Sequence, residues 1–441
     1  MFNFIELILT KPSQNLVLKI YHNLFKTQTS MKFIEKLLIN PSELSKKTAK
    51  SARKKFFLLK AVYDLDKASV NDLMKRLALS FPTLNNLMVE LVDKKYLTQH
   101  ERGESLGGRK PNLYQLSDKL FKVLTVELNR KSARISLVDN NSNIIIDSNY
   151  YPFELSTDLR ELPAFLMLIR KFLKDHKLLM EQISGLSISM PGLVDRYTGE
   201  NFTYFYEPGF NLEKHLTREF NINTKIINDA KVATLAEQFY GKLKFKKDAL
   251  VIRLDWGISL GIISNGSIYY GKDGFSGEMG HISFADDGEL CYCGKRGCLE
   301  TLVSGNALVN KATKDIDLGI PTLIVSKYEN KQLTPDHIIQ SALDGDQYAI
   351  QLISELGSKL GRAIAHFMQV FNPETIVLSG SFARTSMLMI TPIQQQIQTY
   401  SMSKIASGCS LQVSTLGDNG QAFALARHFV NCYFEDRLGM N

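Results

Sequence analysis

The chain contains no run of eighteen or more apolar residues, so it lacks a segment able to cross a bilayer as a helix, and no membrane partner is expected. Nor does it open on a basic stretch followed by an apolar one. Residues 2–9 are apolar but short, and they carry Glu6, which does not read as a secretory signal. Cysteine is scarce and odd in number: five in 441 residues, three of them between Cys291 and Cys298. Such a set favours a metal site in a reducing compartment over a disulfide framework, and hence a cytoplasmic protein. Internal repeats and low-complexity stretches are absent, and Trp256 is the one tryptophan. The remainder is ordinary, with 44% hydrophobic and 22% charged residues. That suits a folded chain of two or three domains.

Acidic residues are under-represented at one end. Residues 1–120 hold 21 Lys/Arg against 11 Asp/Glu, a net of +10, whereas the whole chain carries +8, so the rest is −2. Basic charge alone would also suit a solvated face. Confined to one end, it suits a polyanion-binding module joined to a near-neutral domain.

Periodicity gives that end a form. Residues 1–50 read as an extension, partly helical and basic. Met31 begins a new helical segment, which leaves residues 1–30 as a possible misassigned start. Over residues 52–63, Phe56, Leu59, Val62 and Tyr63 are spaced for one helix face. Ser69 is placed to cap a second helix, with Asp72 three residues on. Ser80 is placed to cap a third, with Pro82 in its first turn and Leu84, Leu87, Met88, Leu91 and Val92 as its buried stripe. A strand is expected from Lys94, then a hairpin tip at Gly103, Gly107 and Gly108, then a return over residues 112–116. Three helices and a glycine-tipped hairpin over residues 51–118 make a winged helix-turn-helix. The third helix would enter the major groove with Thr83, Asn85 and Asn86 at its start, since asparagine pairs bidentately with adenine and a threonine methyl meets thymine. Gly107, Gly108, Arg109 and Lys110 would form a slim wing able to reach a narrow minor groove.

The segment Ser105-Leu-Gly-Gly-Arg-Lys-Pro-Asn-Leu-Tyr-Gln-Leu116 resembles the wing of repressors in the ROK family, named for repressors, open reading frames and kinases. From about Phe121 strands and helices alternate, which suggests an α/β domain of two halves with a cleft between. The resemblance covers residues 54–435. It implies that residues 119–441 adopt the actin-like, ribonuclease H-like fold of sugar kinases, and that the chain is a homodimer or homotetramer.

Two motifs carry chemistry. Gly277-Glu-Met-Gly-His281 precedes Cys291-Tyr-Cys293-Gly-Lys-Arg-Gly-Cys298-Leu-Glu300. His281, Cys291, Cys293 and Cys298 offer one imidazole and three thiolates, the donor set of a closed tetrahedral zinc site. Four protein ligands leave no open position, so the zinc is expected to be structural. With zinc on one ring nitrogen of His281, the other would face a ligand hydroxyl. Cys409 and Cys432 read as ordinary core thiols. The resemblance further implies a sugar pocket built by Asn228, Asp229, Glu278, His281 and Glu300, with Gly192 in a Pro-Gly turn admitting the ligand to backbone. In a kinase Asp229 would be the catalytic base.

The nucleotide half reads as broken. Where family kinases carry a glycine-rich first phosphate loop, this chain has Glu127-Leu-Asn-Arg-Lys131. The second loop, Asp255-Trp-Gly-Ile-Ser-Leu-Gly261, adds a carboxylate and bulk, and Ser379-Gly-Ser381 keeps one glycine of the adenosine-side turn. Bound ATP is therefore not expected. Three functions compete: a repressor that binds a double-stranded operator and responds to a small sugar or sugar phosphate; an ATP-dependent sugar kinase with an appended domain; and a module that answers to a partner protein. The altered loops favour the first over the second, and the intact polar pocket favours it over the third.

Overall fold

The computed structural model describes residues 46–100, 111–328, 332–417 and 419–439. Three helices come first: α1 (Lys46–Leu65), α2 (Val70–Leu77) and α3 (Phe81–Asp93). The short strands β1 (Ala68–Ser69), β2 (Leu97–His100) and β3 (Leu113–Leu116) form an antiparallel sheet in the order β1-β3-β2. This is the element order expected of a winged helix-turn-helix. The hairpin tip with Gly107, Gly108, Arg109 and Lys110 lies outside the described residues, as do residues 1–45.

Local chemistry explains these elements. Ser69 and Asp72 form the reciprocal capping box, with bonds of 3.2 and 3.0 Å. α1 starts at Lys46, ten residues before the first residue of the apolar stripe, Phe56, because the Lys/Ala-rich run ahead of it favours helix. Ser80 departs from expectation. Its hydroxyl makes no cap bond and instead lies 3.0 Å from that of Thr83. The strand expected from Lys94 begins only at Leu97, since Lys95 adopts a left-handed φ of 61° that breaks extended backbone.

Two lobes follow. The first sheet runs β6-β5-β4-β8-β9, from β4 (Lys122–Leu128), β5 (Ser132–Asp139), β6 (Ile144–Asp147), β8 (Gly185–Met190) and β9 (Thr224–Asn228), with β7 (Tyr151–Pro152) on β5. β4, β8 and β9 are parallel, while β4, β5 and β6 form an antiparallel meander. The helices α4 (Leu162–Asp175) and α5 (Leu212–Phe220) bury their apolar faces in this lobe. The second sheet has β10 (Ala249–Leu254), β11 (Ile258–Ser264), β12 (Ser267–Ile268), β13 (Thr375–Ser379) and β14 (Ser410–Val413), in the order β12-β11-β10-β13-β14. It repeats the pattern, with an antiparallel meander beside parallel strands. α6 (Asp229–Phe239) passes from the first sheet to the second. The second lobe also holds α7 (Gly305–Asp317), α8 (Leu323–Tyr328), α9 (Pro335–Leu343), α10 (Gln347–Phe371), α11 (Ser386–Tyr400) and α12 (Ser403–Gly408). α13 (Gly420–Leu438) returns to the first sheet.

The apolar core does not divide at residue 118. One buried cluster joins Phe56, Leu59 and Val62 of α1, Leu84 and Met88 of α3, Val123 of β4, and Phe429 and Phe434 of α13. The Phe434 ring meets Phe56 at 6.0 Å and Phe121 at 5.9 Å. Truncating such a ring to alanine costs about 3–5 kcal/mol, so the last helix is part of what holds the first in place. No helix among the described residues is long and apolar enough to cross a membrane.

Candidate functional site

The cleft between the lobes has a volume of about 720 Å³. Gly192, Asn228, Asp229, Glu278, His281 and Glu300 all line it. Each arrives on a different local device. Gly192 follows β8 with φ +95°, and a Cβ there would stand 2.7 Å from that of Thr203, so no side chain fits. Asn228 ends β9 and caps α6. Its Oδ1 accepts from the amides of Ala230 and Lys231, and its Nδ2 donates to the Gly192 carbonyl at 2.9 Å. The side chain expected to meet the sugar is thus spent on holding the helix start against the Pro-Gly turn. Glu278 sits on a turn closed by Gly277, whose φ of +85° and 1.9 Å clearance from the Leu260 oxygen admit only glycine.

The acids differ in occupancy. The Glu278 carboxylate accepts no hydrogen bond among the described residues, though its backbone carbonyl accepts the His281 amide at 3.2 Å. Burial, with Asp229 beside it, pushes its pKa up to about 7. Both oxygens of Asp229 already carry a donor, the Ala230 amide on one and Arg253 on the other, at 2.9 Å each. Glu300 is buried and doubly bonded, to Arg130 at 2.8 Å and to the Ile258 amide at 3.0 Å. Arg130 also lies over the Tyr292 ring, 4.7 Å from its centroid. Buried Lys231 donates to the carbonyl and hydroxyl of Ser276 at 2.6 and 2.8 Å, tying α6 to the loop that carries Glu278. Burial lowers the Lys231 pKa to about 8 against the opposing pull of Glu278 and Asp229.

In the other half of the cleft, polar groups of the chain bond one another. Arg253, on β10, donates to Asp255 at 2.7 Å and to Asp229 at 2.9 Å. Burial alone would lower its pKa, but the carboxylates of Asp255 and Asp229 more than offset this and raise it. The other oxygen of Asp255 accepts the Ser381 amide at 2.6 Å. Ser381 lies just past Gly380 in the turn expected on the adenosine side, so an internal carboxylate takes a backbone donor of the nucleotide half. Sequence reasoning missed Arg253 and Tyr292. Arg253 is the one charge in the strand Ala-Leu-Val-Ile-Arg-Leu, and a charge in a buried strand was the available signal.

His281, Cys291, Cys293 and Cys298 bring their donor atoms within 4.8 Å of one another. Cys291 Sγ lies 3.7 Å from His281 Nδ1, and Cys293 Sγ lies 3.6 Å from Cys298 Sγ. Tetrahedral zinc with bonds of about 2.0 Å to nitrogen and about 2.3 Å to sulfur has edges of about 3.5–3.8 Å, so these residues fit the ion. The second nitrogen of His281 does not face an open hydroxyl position. Its Nε2 lies 2.9 Å from the Tyr292 hydroxyl. Cys432, read as an ordinary core thiol, has its sulfur 3.5 Å from His428 Nε2 on the same helix.

On α3, Asn85 and Asn86 are exposed, whereas Thr83 is half-buried. Phe81 and Val89, one turn to either side of Asn85, expose apolar side chains at 54% and 52%.

Known proteins resemble this chain in sequence and fold. The chain is 27% identical over 372 residues to a xylose repressor of Caldicellulosiruptor bescii, covering 82% of this chain and 92% of the relative. It is 27% identical over 342 residues to the DNA-binding transcriptional dual regulator NagC of Escherichia coli, covering 77% and 83%. A glucokinase of Halalkalibacterium halodurans is 30% identical over 255 residues, covering 56% and 77%. Among solved structures, a ROK family transcriptional regulator described as a homologue of the E. coli MLC protein superposes with a TM-score of 0.69 at 25% identity, covering 88% of this chain and all of that one. A ROK family glucokinase from Streptomyces griseus shares the fold, with a TM-score of 0.58 at 21% identity over 69% and 98% of the two chains. With residues 123–427 matching the ROK family, well over half of its length, this chain belongs to that family.

Proposed function

We propose that this protein is a sugar-responsive transcriptional repressor of carbohydrate-use genes. Its N-terminal module binds a double-stranded operator, and its cleft binds a small sugar or sugar phosphate without transferring phosphate. The repressor relatives over most of the chain support this reading. The observation that carries it is the contrast between the two halves of the cleft. The sugar half keeps Glu278 open to a ligand hydroxyl, while in the phosphate half Arg253 and Asp255 occupy one another and the Ser381 amide. Phosphoryl transfer depends on donors aimed at the phosphate, and here a carboxylate stands among them.

In this reading Glu278 accepts from two sugar hydroxyls, and Asp229 and Glu300 accept through the lone pairs their internal donors leave. Asn228 and Gly192 shape the floor. A structural zinc on His281, Cys291, Cys293 and Cys298 fixes the loop that carries Glu300, and supplies no chemistry to the ligand. Asn85 and Asn86 read base edges, Thr83 supports the helix start, and residues 107–110 form the wing. The protein works in the cytoplasm as a symmetric oligomer.

The test is operator binding by fluorescence anisotropy, with and without each member of a sugar and sugar-phosphate panel, beside an ATP turnover assay on the same preparation. The duplex is selected from a random pool by the full chain. Sequence-specific binding that a sugar shifts, with no sugar-dependent ATP turnover, is the expected result. Turnover without sequence-specific binding would restore the kinase.

A further inference from the structure

One helix, α6, runs from the sugar half of the cleft toward the contact between α13 and the DNA module, with Ala233, Ala236 and Glu237 also lining the cleft on the way. α6 begins at Asn228 and Asp229 in the cleft and is eleven residues long, a rod of about 16 Å at 1.5 Å per residue. Its flanks are packed on both sides. Ala233 joins a cluster with Val251, Ile263 and Val377 of the second sheet, while Val232, Leu235 and Ala236 join one with Ala424 and Leu425 of α13. Its far end presents Phe239, then Tyr240. The Phe239 ring lies 4.1 Å from the guanidinium carbon of Arg427 on α13, and the Tyr240 ring 5.7 Å from that of Phe423.

Arg427 faces both ways. It is 7% exposed, and among the described residues no carboxylate pairs with it. Its Nη2 donates to the carbonyls of Tyr63 and Asp64 at 3.3 and 3.2 Å, and the guanidinium also lies over the Tyr63 ring at 5.0 Å. Those carbonyls belong to the last turn of α1, where the helix dipole favours a cation, and that of Tyr63 also accepts the Asp66 amide at 3.2 Å. The same turn is tied onward. Asp64 pairs with Arg76 of α2 at 2.8 Å, and Asp66 accepts from Gln115 of β3 at 3.1 Å. A displacement of Arg427 therefore acts on the junction that sets α1 against the rest of the DNA module.

We propose that Arg427 couples the effector cleft to the DNA module, transmitting movement of α6 through Phe239 to the end of α1; the proposal rests on the repressor reading above. A ligand that engages Asp229 and the Gly192 turn changes how the start of α6 is held between the lobes. A helix is stiff along its axis and its packed flanks shift as a unit, by steps of about 1–2 Å in known switches. The guanidinium stacked on Phe239 follows, and its two bonds to α1 are re-aimed. A buried cation without a carboxylate is a costly way merely to fill space, and its partners here are the ends of the two helices that must communicate.

The experiment measures operator affinity of the full-length protein by fluorescence anisotropy, with and without the panel sugar that moves the wild type most. The panel comprises xylose, glucose, N-acetylglucosamine and their phosphates. Two variants are compared, Arg427→Lys and Phe239→Leu. Phe239→Leu touches neither the cleft nor α1. Sugar affinity by calorimetry and operator affinity without sugar should stay within about three-fold of wild type. The ratio of operator affinities with and without sugar should move toward one, losing at least five-fold of its wild-type displacement. A merely structural role would lower thermal stability and leave that ratio unchanged. If both variants keep the wild-type ratio, the coupling role is overturned and the repressor reading stands. If no sugar shifts operator affinity in the wild type, the sugar reading fails, and the coupling role falls with it.

Discussion

Arg253 donates from Nη1 to Asp229 Oδ2 at 2.9 Å, so the residue placed as a base in family kinases is held by a cation of its own chain. The same guanidinium holds Asp255, which in turn takes the Ser381 amide. Asp255→Gly removes that carboxylate. The backbone bonds of residue 255, from its amide to Gly257 and from Gly305 to its carbonyl, do not need the side chain. The freed amide and Arg253 should then accept phosphate. Calorimetry with a non-hydrolysable ATP analogue should show at least ten-fold tighter binding than wild type, about 1.4 kcal/mol. Equal affinities would mean that Asp255 does not close the phosphate half.

In the sugar half Arg130 occupies one acid, Glu300, and lies over Tyr292, while Glu278 stays open. Arg130→Gln leaves one buried oxygen of Glu300 without its charged partner, while the Ile258 amide remains on the other. The ligand-free protein should lose about 1–3 kcal/mol of stability. A neutral sugar no longer has to displace the guanidinium, so its saturating dose should raise the melting temperature more than in wild type. A smaller ligand-induced shift would show that Arg130 holds the ligand rather than competes with it.

The cysteine loop predicts one zinc per chain by elemental analysis. Cys293→Ala should lose the metal and lower both thermal stability and sugar affinity, because the clip joins His281 to the segment that carries Glu300. A chelator should reproduce both effects in wild type. A metal-free protein of full stability and full sugar affinity would refute the site.

A pH effect is expected away from the cleft. Burial raises the Glu213 pKa to about 7, against the opposing Ile226 amide and Lys225. A carboxyl group raised in the fold binds its proton more tightly there than in the unfolded chain. Its contribution is therefore complete below about pH 4.5 and is lost as pH rises toward 7, a fall on the order of 3 kcal/mol. Urea unfolding of wild type and Glu213→Gln at pH 5 and pH 8 isolates this group. The variant should show a smaller drop between the two, and equal drops would refute the assignment.

What could be read from the sequence divides along physical lines. Periodicity located α2 and α3 because their apolar stripes and caps are local features, as Ser69 and Asp72 show. The four zinc-type ligands were legible from their donor types and the family motif, because the loop that gathers them is short. Glu278, Glu300 and Asp229 were legible through family motifs, but their occupancy was not. The partners Arg130 and Arg253 lie 170 and 24 residues away from the acids they hold. The shared core between α1 and α13 was equally hidden, since Phe56 and Phe434 meet only once the chain has folded through both lobes.

The DNA module carries the last prediction. All the net positive charge of the chain lies in residues 1–120, so operator affinity should fall steeply with salt, by about 0.9 log units per phosphate contacted for each tenfold rise. Asn85 and Asn86 stand exposed on α3, between the exposed side chains of Phe81 and Val89. Amide groups suit adenine edges, and the flanking apolar groups suit thymine methyls. Asn86→Ala should therefore weaken binding by about 1–3 kcal/mol at one base pair of each half-site and leave the salt slope unchanged. Arg109→Ala should do the reverse. It should flatten the salt slope by about one contact and reduce affinity most where an A·T-rich tract faces the wing, because a narrow groove concentrates negative potential. Binding curves for both variants on a set of single-substituted duplexes, each at three salt concentrations, separate the two roles. A uniform loss across all duplexes for Asn86→Ala would place α3 on the backbone instead of the bases, and specificity would then have to be sought elsewhere in the module.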